Sequence, residues 1–249
     1  MISIEVSETV GILKLNRGIT NAINLELVNE LTINLQKMRQ DSDIRSIVLT
    51  SSNEKFFAIG FDIPELIKLS LEDFKVFYRS YNRLCLDLYS FPKPTIVAIT
   101  GHAIAGGCIL ALCCDYRIIG EGRKLMGLNE IKLGVPVPYP GDCILRQIVG
   151  PRNAQEITYT GDFYPSEKLL QMGMVDKVVP LKQVRNEAID KAKLLGSSSQ
   201  GAFAMIKHNR IEIVEAQILK RLTEKEQSFL KHWFSAEARN QLEEAIKKF

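Results

Sequence analysis

No apolar run in this chain is long enough to cross a bilayer. The longest, Ala103 to Cys114, falls well short of the ~20 residues a spanning helix needs, so no membrane partner is expected. Net charge is equally scarce. A balance of +3 over 249 residues, with basic side chains interleaved among acidic ones, does not argue for nucleic acid. It remains compatible with an anionic small molecule. Metal and nucleophile signatures are missing too: there is no C-x-x-C, H-E-x-x-H, P-loop or G-x-S-x-G, and His208 and His232 lack ligand companions. No metal site is expected. The five cysteines are odd in number and Cys113-Cys114 are adjacent, which suits reduced, buried thiols in a reducing compartment. Met1-Ile2-Ser3-Ile4-Glu5 shows no basic region ahead of an apolar segment, so a cytoplasmic protein without a signal peptide is expected.

What is present is an ordinary globular composition, 46% hydrophobic and 24% charged, with enough length for one core or a core with a smaller appendage. Ile2 to Leu15 alternates around Ser7-Glu8-Thr9 and predicts a β-hairpin. Asn24 can cap a helix that buries Leu27, Leu31 and Leu35. Ile44–Thr50, Thr95–Thr100, Tyr116–Ile119 and Lys124–Leu128 predict strands, and Leu71–Tyr89 predicts a helix. Pro136, Pro138 and Pro140 predict an extended loop before a helix capped by Asp142. After Val178-Val179-Pro180 nearly everything is helical, with a hinge at Gly196-Ser197-Ser198-Ser199. Residues 1–195 thus predict an α/β core and 196–249 a helical C-terminal region. The β/α pattern recurs roughly every 40–50 residues, as in a spiral of similar turns, although an open parallel sheet fits it equally.

Three segments carry chemistry. Ile59-Gly60-Phe61-Asp62 and Ala105-Gly106-Gly107 are glycine turns, each set after a β-like run. An uncapped helix start offers free N–H groups at the positive end of its dipole. A carbonyl oxygen that becomes an oxyanion there can gain about 3 kcal/mol from one donor. Glycine allows the close approach, though the same residues would serve simple helix-on-strand packing. The third segment, Gly127-Leu128-Asn129-Glu130, delivers one carboxylate. Met126, Leu128, Ile131 and Leu133 around it suggest burial, which raises a carboxyl's pKa toward that of a general base. Two N–H donors with one base suit chemistry through an enolate.

Together these segments resemble the crotonase (enoyl-CoA hydratase/isomerase) superfamily. Leu15-Asn16-Arg17, Asn21-Ala22-Ile23-Asn24, Pro92-Lys93-Pro94 and Cys114-Asp115-Tyr116-Arg117-Ile118 extend the likeness over nearly the whole chain. The resemblance implies a spiral of ββα units, a helical C-terminal trimerisation region and a homotrimer or dimer of trimers. It implies an acyl-CoA thioester from fatty acid metabolism as substrate, with coenzyme A part of that substrate and no separate cofactor. The thioester oxygen would sit between the N–H groups of Phe61 and Gly106. Arg17, Ala58, Gly60, Asp62, Ile63, Gly107, Ile109 and Tyr139 would contribute to binding, Arg17 near the CoA phosphates.

Hydratases of the superfamily use two glutamates. One position corresponds to Glu130, the other to Ile109 in this chain. With Gly127-Leu128-Asn129-Glu130, the sequence looks most like the single-glutamate Δ3,Δ2-enoyl-CoA isomerases. A hydratase, decarboxylase or hydrolase using Asp142 or Tyr139, or a non-catalytic acyl-CoA binder, is the alternative. Leu66, Phe74, Phe77 and Tyr81 are either acyl-tunnel contacts or helix core, and Phe229, Trp233 and Phe234 either cover the site or pack a helix.

Overall fold

The computed structural model describes residues 1–247, so the last two residues of the expected helical region lie outside the described part. The hairpin forms as expected. β1 (Ile2–Ser7) and β2 (Val10–Leu15) pair antiparallel around Glu8, which takes φ 55°. In α1 (Leu25–Gln40), the Asn24 side chain accepts from the Leu27 N–H at 3.0 Å, and Leu27, Leu31 and Leu35 are buried.

The chain then winds in repeated units of two strands and a helix. β3 (Ser46–Ser51) and β4 (Phe56–Ala58) lead to α2 (Ile63–Leu66) and α3 (Leu71–Tyr89). β5 (Thr95–Ile99) and β6 (His102–Ile104) lead to α4 (Gly106–Leu112). β7 (Tyr116–Gly120) and β8 (Leu125–Gly127) lead, through a 3₁₀ turn at Glu130–Leu133, to α5 (Tyr139–Thr160). β9 (Tyr164–Pro165), α6 (Ser166–Gln171) and β10 (Lys177–Val179) follow. The chain ends in α7 (Val184–Gly196), α8 (Gln200–Trp233) and α9 (Ala236–Ile246).

In each turn the first strand joins one sheet and the second joins another. Among the described residues the strand orders are β1-β2-β3-β5-β7-β10 and β4-β6-β8-β9. Neighbours from β2 to β10 in the first sheet are parallel, as are β4, β6 and β8 in the second. The architecture is therefore the spiral and not one open parallel sheet. β3 and β5 are buried along their whole length, as parallel strands covered on both faces must be. β6 has no counterpart among the strands expected from the sequence, where a glycine turn follows β5 directly. Gly101 makes that extra strand possible: a Cβ there would lie 2.5 Å from the Phe56 nitrogen, so only glycine lets β6 come beside β4.

The start of α5 also differs from expectation. Tyr139 is already helical, and Pro140 lies in the first turn, where a missing N–H costs nothing. Asp142 is not the cap; it pairs with Arg146, four residues on, at 2.9 Å. The C-terminal hinge behaves as expected, with Ser199 capping α8. From there Ile218, Phe229, Trp233 and Leu242 return to the main hydrophobic core. All five cysteines are buried and unbridged. Among the described residues no helix is long and apolar enough to cross a membrane.

Candidate active site

The two glycine turns stand side by side because their preceding strands, β4 and β6, are neighbours in the smaller sheet. In the first turn Gly60 takes φ 93°, and its carbonyl accepts from Ile23 N–H at 2.7 Å. Asp62 N–H donates back to the Ile23 carbonyl at 2.9 Å. This bridge uses the residues on either side of Phe61 and leaves the Phe61 amide out. In the second turn the strained residue is Ala105, at φ 48° and ψ −123°, not a glycine. Such backbone costs of order 1–3 kcal/mol and persists only where its surroundings enforce it. Ala105 N–H donates to the Gly127 carbonyl at 2.9 Å, which anchors the turn to β8. α4 then begins without any side-chain cap.

The turns are in direct contact. A Cβ on Gly60 would come within 2.9 Å of the Ala105 Cβ and 3.0 Å of the Gly106 nitrogen. At Gly107 a Cβ would fall 2.2 Å from the Ala58 carbonyl oxygen. These glycines therefore pack the turns together, and the missing Cβ of Gly60 avoids crowding the Gly106 nitrogen, on the wall of a cavity of about 1020 Å³.

Glu130 stands on the wall of the same cavity, at the first residue of the 3₁₀ turn after β8. It is only 5% exposed, and its Oε2 is buried with no hydrogen-bond partner. Burial pushes its pKa up to about 8, against a small opposing effect from its own backbone N–H. Of the apolar neighbours in sequence, Met126 and Leu128 are fully buried, whereas Ile131 is half exposed. The adjacent Asn129 also lines the cavity and keeps a buried, unpartnered Oδ1.

Arg17, Phe61, Asp62, Ile63, Gly106 and Glu130 all reach the cavity wall. Arg17 does so with its guanidinium engaged: it donates to Asp62 at 2.6 Å, to Glu65 at 3.0 Å and to the Ala22 carbonyl at 2.9 Å. In this way it braces the first turn from the cavity wall. Ala58, Gly60 and Gly107 lie behind the wall as packing. Ile109 is likewise fully buried, and a Cβ on Gly141 would press within 2.7 Å of it. Tyr139 also lies off the wall, its hydroxyl accepting from Gln217 at 3.3 Å.

The aromatic residues divide. Leu66, Phe74, Phe77 and Tyr81 are helix core, fully buried away from the wall. Phe229 and Trp233 from α8 line the cavity within the same chain, while Phe234 packs edge-on to Phe74. The Phe61 ring packs into this cluster, edge-on to Phe77 and Tyr81 with centroids 4.9 Å apart in each case. His102 lines the wall as well. Its Nδ1 accepts from Leu125 N–H at 3.0 Å, and burial lowers its pKa, with nearby Lys124, Arg123 and Lys55 acting the same way. Gln241 of α9 reaches the cavity with no signal in its local sequence, because a surface-patterned helix does not announce which core it returns to.

A family model described as enoyl-CoA hydratase/isomerase matches residues 5–249. The human protein named enoyl-CoA delta isomerase 1, mitochondrial, is 35% identical over 181 residues, 72% of this chain and 60% of its own length. A probable enoyl-CoA hydratase of Dictyostelium discoideum is 37% identical over 203 residues, 80% of this chain and 70% of its own. The chain thus spans only about 60% of the length of the curated isomerases it matches. The crystal structure of human mitochondrial delta3-delta2-enoyl-CoA isomerase superposes with a TM-score of 0.96 at 28% identity, over 99% of this chain and 97% of that one. A spiral of ββα turns, two apposed glycine turns and a buried glutamate on one cavity thus agree with these likenesses: the chain belongs to the enoyl-CoA hydratase/isomerase family.

Proposed function

We propose that the protein is a Δ3,Δ2-enoyl-CoA isomerase with one catalytic carboxylate. The observation that carries this reading is Glu130: buried, unpaired at Oε2 and raised in pKa, while the position that the resemblance gives to a second glutamate is the buried Ile109. The thioester oxygen of a 3-enoyl-CoA accepts hydrogen bonds from the Phe61 and Gly106 amides. Glu130 takes a proton from C2, and the electron pair spreads over the thioester and the C3–C4 double bond as a dienolate. The carboxyl then returns the proton to C4, leaving a C2–C3 double bond. Atoms balance without water or a separate cofactor.

Hydration would need a second acid–base group. Asp142 is held by Arg146, Tyr139 by Gln217, and neither lines the cavity. Ile109 is packed into the core, so that position supplies no carboxylate to hold a water. The exposed Met205, Ile206 and Ile213 on α8 offer a face for the homotrimer that the family likeness implies.

The test is NMR-resolved product analysis with a medium-chain 3-enoyl-CoA and, in parallel, the matching 2-enoyl-CoA. Conversion of the first to the 2-trans isomer without hydration of the second is expected. A 3-hydroxyacyl product would mean that a second acid–base group acts.

A further inference from the structure

Tyr81 touches both glycine turns at once. Its hydroxyl donates to the Gly106 carbonyl oxygen at 2.7 Å, in a fully buried hydrogen bond. Its ring meets the Phe61 ring edge-on, centroids 4.9 Å apart and planes at 88°. A Cβ on Gly106 would lie 3.1 Å from the Tyr81 hydroxyl and 3.2 Å from the Phe61 ring, so the three residues form one packed contact. Phe77 makes an equivalent edge contact to Phe61 with no hydroxyl. Packing alone therefore does not call for the hydroxyl at position 81. Burial raises the pKa of that hydroxyl, which keeps it protonated and a donor.

The two turns come from separate strands, and the carbonyl-binding site exists only if their amides hold one relative position. A thioester oxygen needs both donors at about 2.7–3.1 Å. Hydrogen bonds weaken steeply as the angle closes. α3 is a long helix anchored in the core, so a ring and a hydroxyl projecting from it form a rigid gauge between the turns.

We infer that Tyr81 is a positioning residue that keeps the Phe61 and Gly106 amides in register for the substrate carbonyl. This rests on the Phe61–Gly106 site proposed above. Tyr81 itself does not reach the cavity wall, so it acts through the turns and not on the substrate.

The experiment combines steady-state kinetics with the absorbance of a bound aryl-conjugated enoyl-CoA, whose band moves to the red as its carbonyl is polarised. Tyr81→Phe is expected to lower kcat about ten- to a hundredfold, in line with the cost of small misplacements. KM should stay within about threefold, on the same reasoning that only alignment is lost, and the red shift should shrink. Tyr89→Phe removes another hydroxyl from the same helix, one bonded to Gln147 away from the cavity, and should preserve both readouts. A para-aminophenylalanine at position 81 keeps the ring and a donor and should restore the shift, whether or not Tyr81→Phe folds. A wild-type shift and kcat in Tyr81→Phe would overturn the inference, as would equal losses in Tyr89→Phe or no shift with the amino analogue. Absence of any red shift in the wild-type protein would instead overturn the Phe61–Gly106 site itself.

Discussion

Asp62 and Glu130 are carboxylates on the wall of one cavity, and the fold treats them in opposite ways. Asp62 has a full set of partners: Arg17 at 2.6 Å on one oxygen and the Glu65 N–H at 3.2 Å on the other. Glu130 is more deeply buried and has an oxygen with no partner. A satisfied carboxylate fixes geometry, because each hydrogen bond it accepts holds the side chain in place and removes a lone pair from chemistry. An unsatisfied buried one costs stability and persists where that cost serves a reaction. The difference is the reason the proposed reaction assigns the base to Glu130 and leaves Asp62 in the scaffold.

The largest effect that could break this contrast is on turnover. Glu130→Gln is expected to lower isomerase kcat about a thousandfold, within the range for losing a positioned acid–base group, and Asp62→Asn by less than about tenfold. Steady-state rates on a 3-enoyl-CoA decide it; comparable losses in the two variants would erase the distinction.

The next effect is on pH dependence. Free Glu130 is a carboxylate mainly above its pKa of about 8, so kcat/KM should rise with pH through about 8 and level off beyond. Stability runs the other way. The unfolded chain loses this proton near the ordinary 4.5 while the folded protein keeps it to about 8, so the glutamate destabilises increasingly between those values. Each unit of difference is worth about 1.4 kcal/mol. Denaturant titrations should therefore find Glu130→Gln more stable than wild type at pH 9, with the advantage fading toward pH 4.

The smallest effect concerns the partner of the satisfied carboxylate. Arg17→Ala removes a partly exposed ion pair and should lower stability by about 1 kcal/mol, with KM for the CoA thioester changing less than about threefold. A tenfold rise in KM would instead mark Arg17 as an anchor for the CoA phosphates.

The legibility of the sequence followed the range of the forces involved. The hairpin, the Asn24 cap, α3 and the hinge before α8 are written in local patterns, and the structure places them where those patterns put them. Phe61, Gly106 and Glu130 stood out because glycine turns and an isolated glutamate among apolar neighbours are local too. β6 stayed hidden because its place depends on how closely Gly101 lets two distant backbones approach. The engagement of Arg17 by Asp62 and Glu65, 45 and 48 residues away, has no local sign either. Nor does the strain at Ala105, an ordinary residue forced into positive φ by the contacts around it. Ile109, expected to contribute to binding, is buried in the core, and a local pattern does not show on which side of a wall an apolar side chain packs.

The central claim is that one enclosed, unpaired carboxylate carries the proton both ways. Turnover of a 3-enoyl-CoA dideuterated at C2 tests it most directly, with the label in the product located by NMR. Deuterium transferred to C4 of the 2-enoyl product is the predicted result. Product that keeps one deuterium at C2 but carries only solvent hydrogen at C4, even in a single turnover, would contradict direct return of the abstracted proton by Glu130.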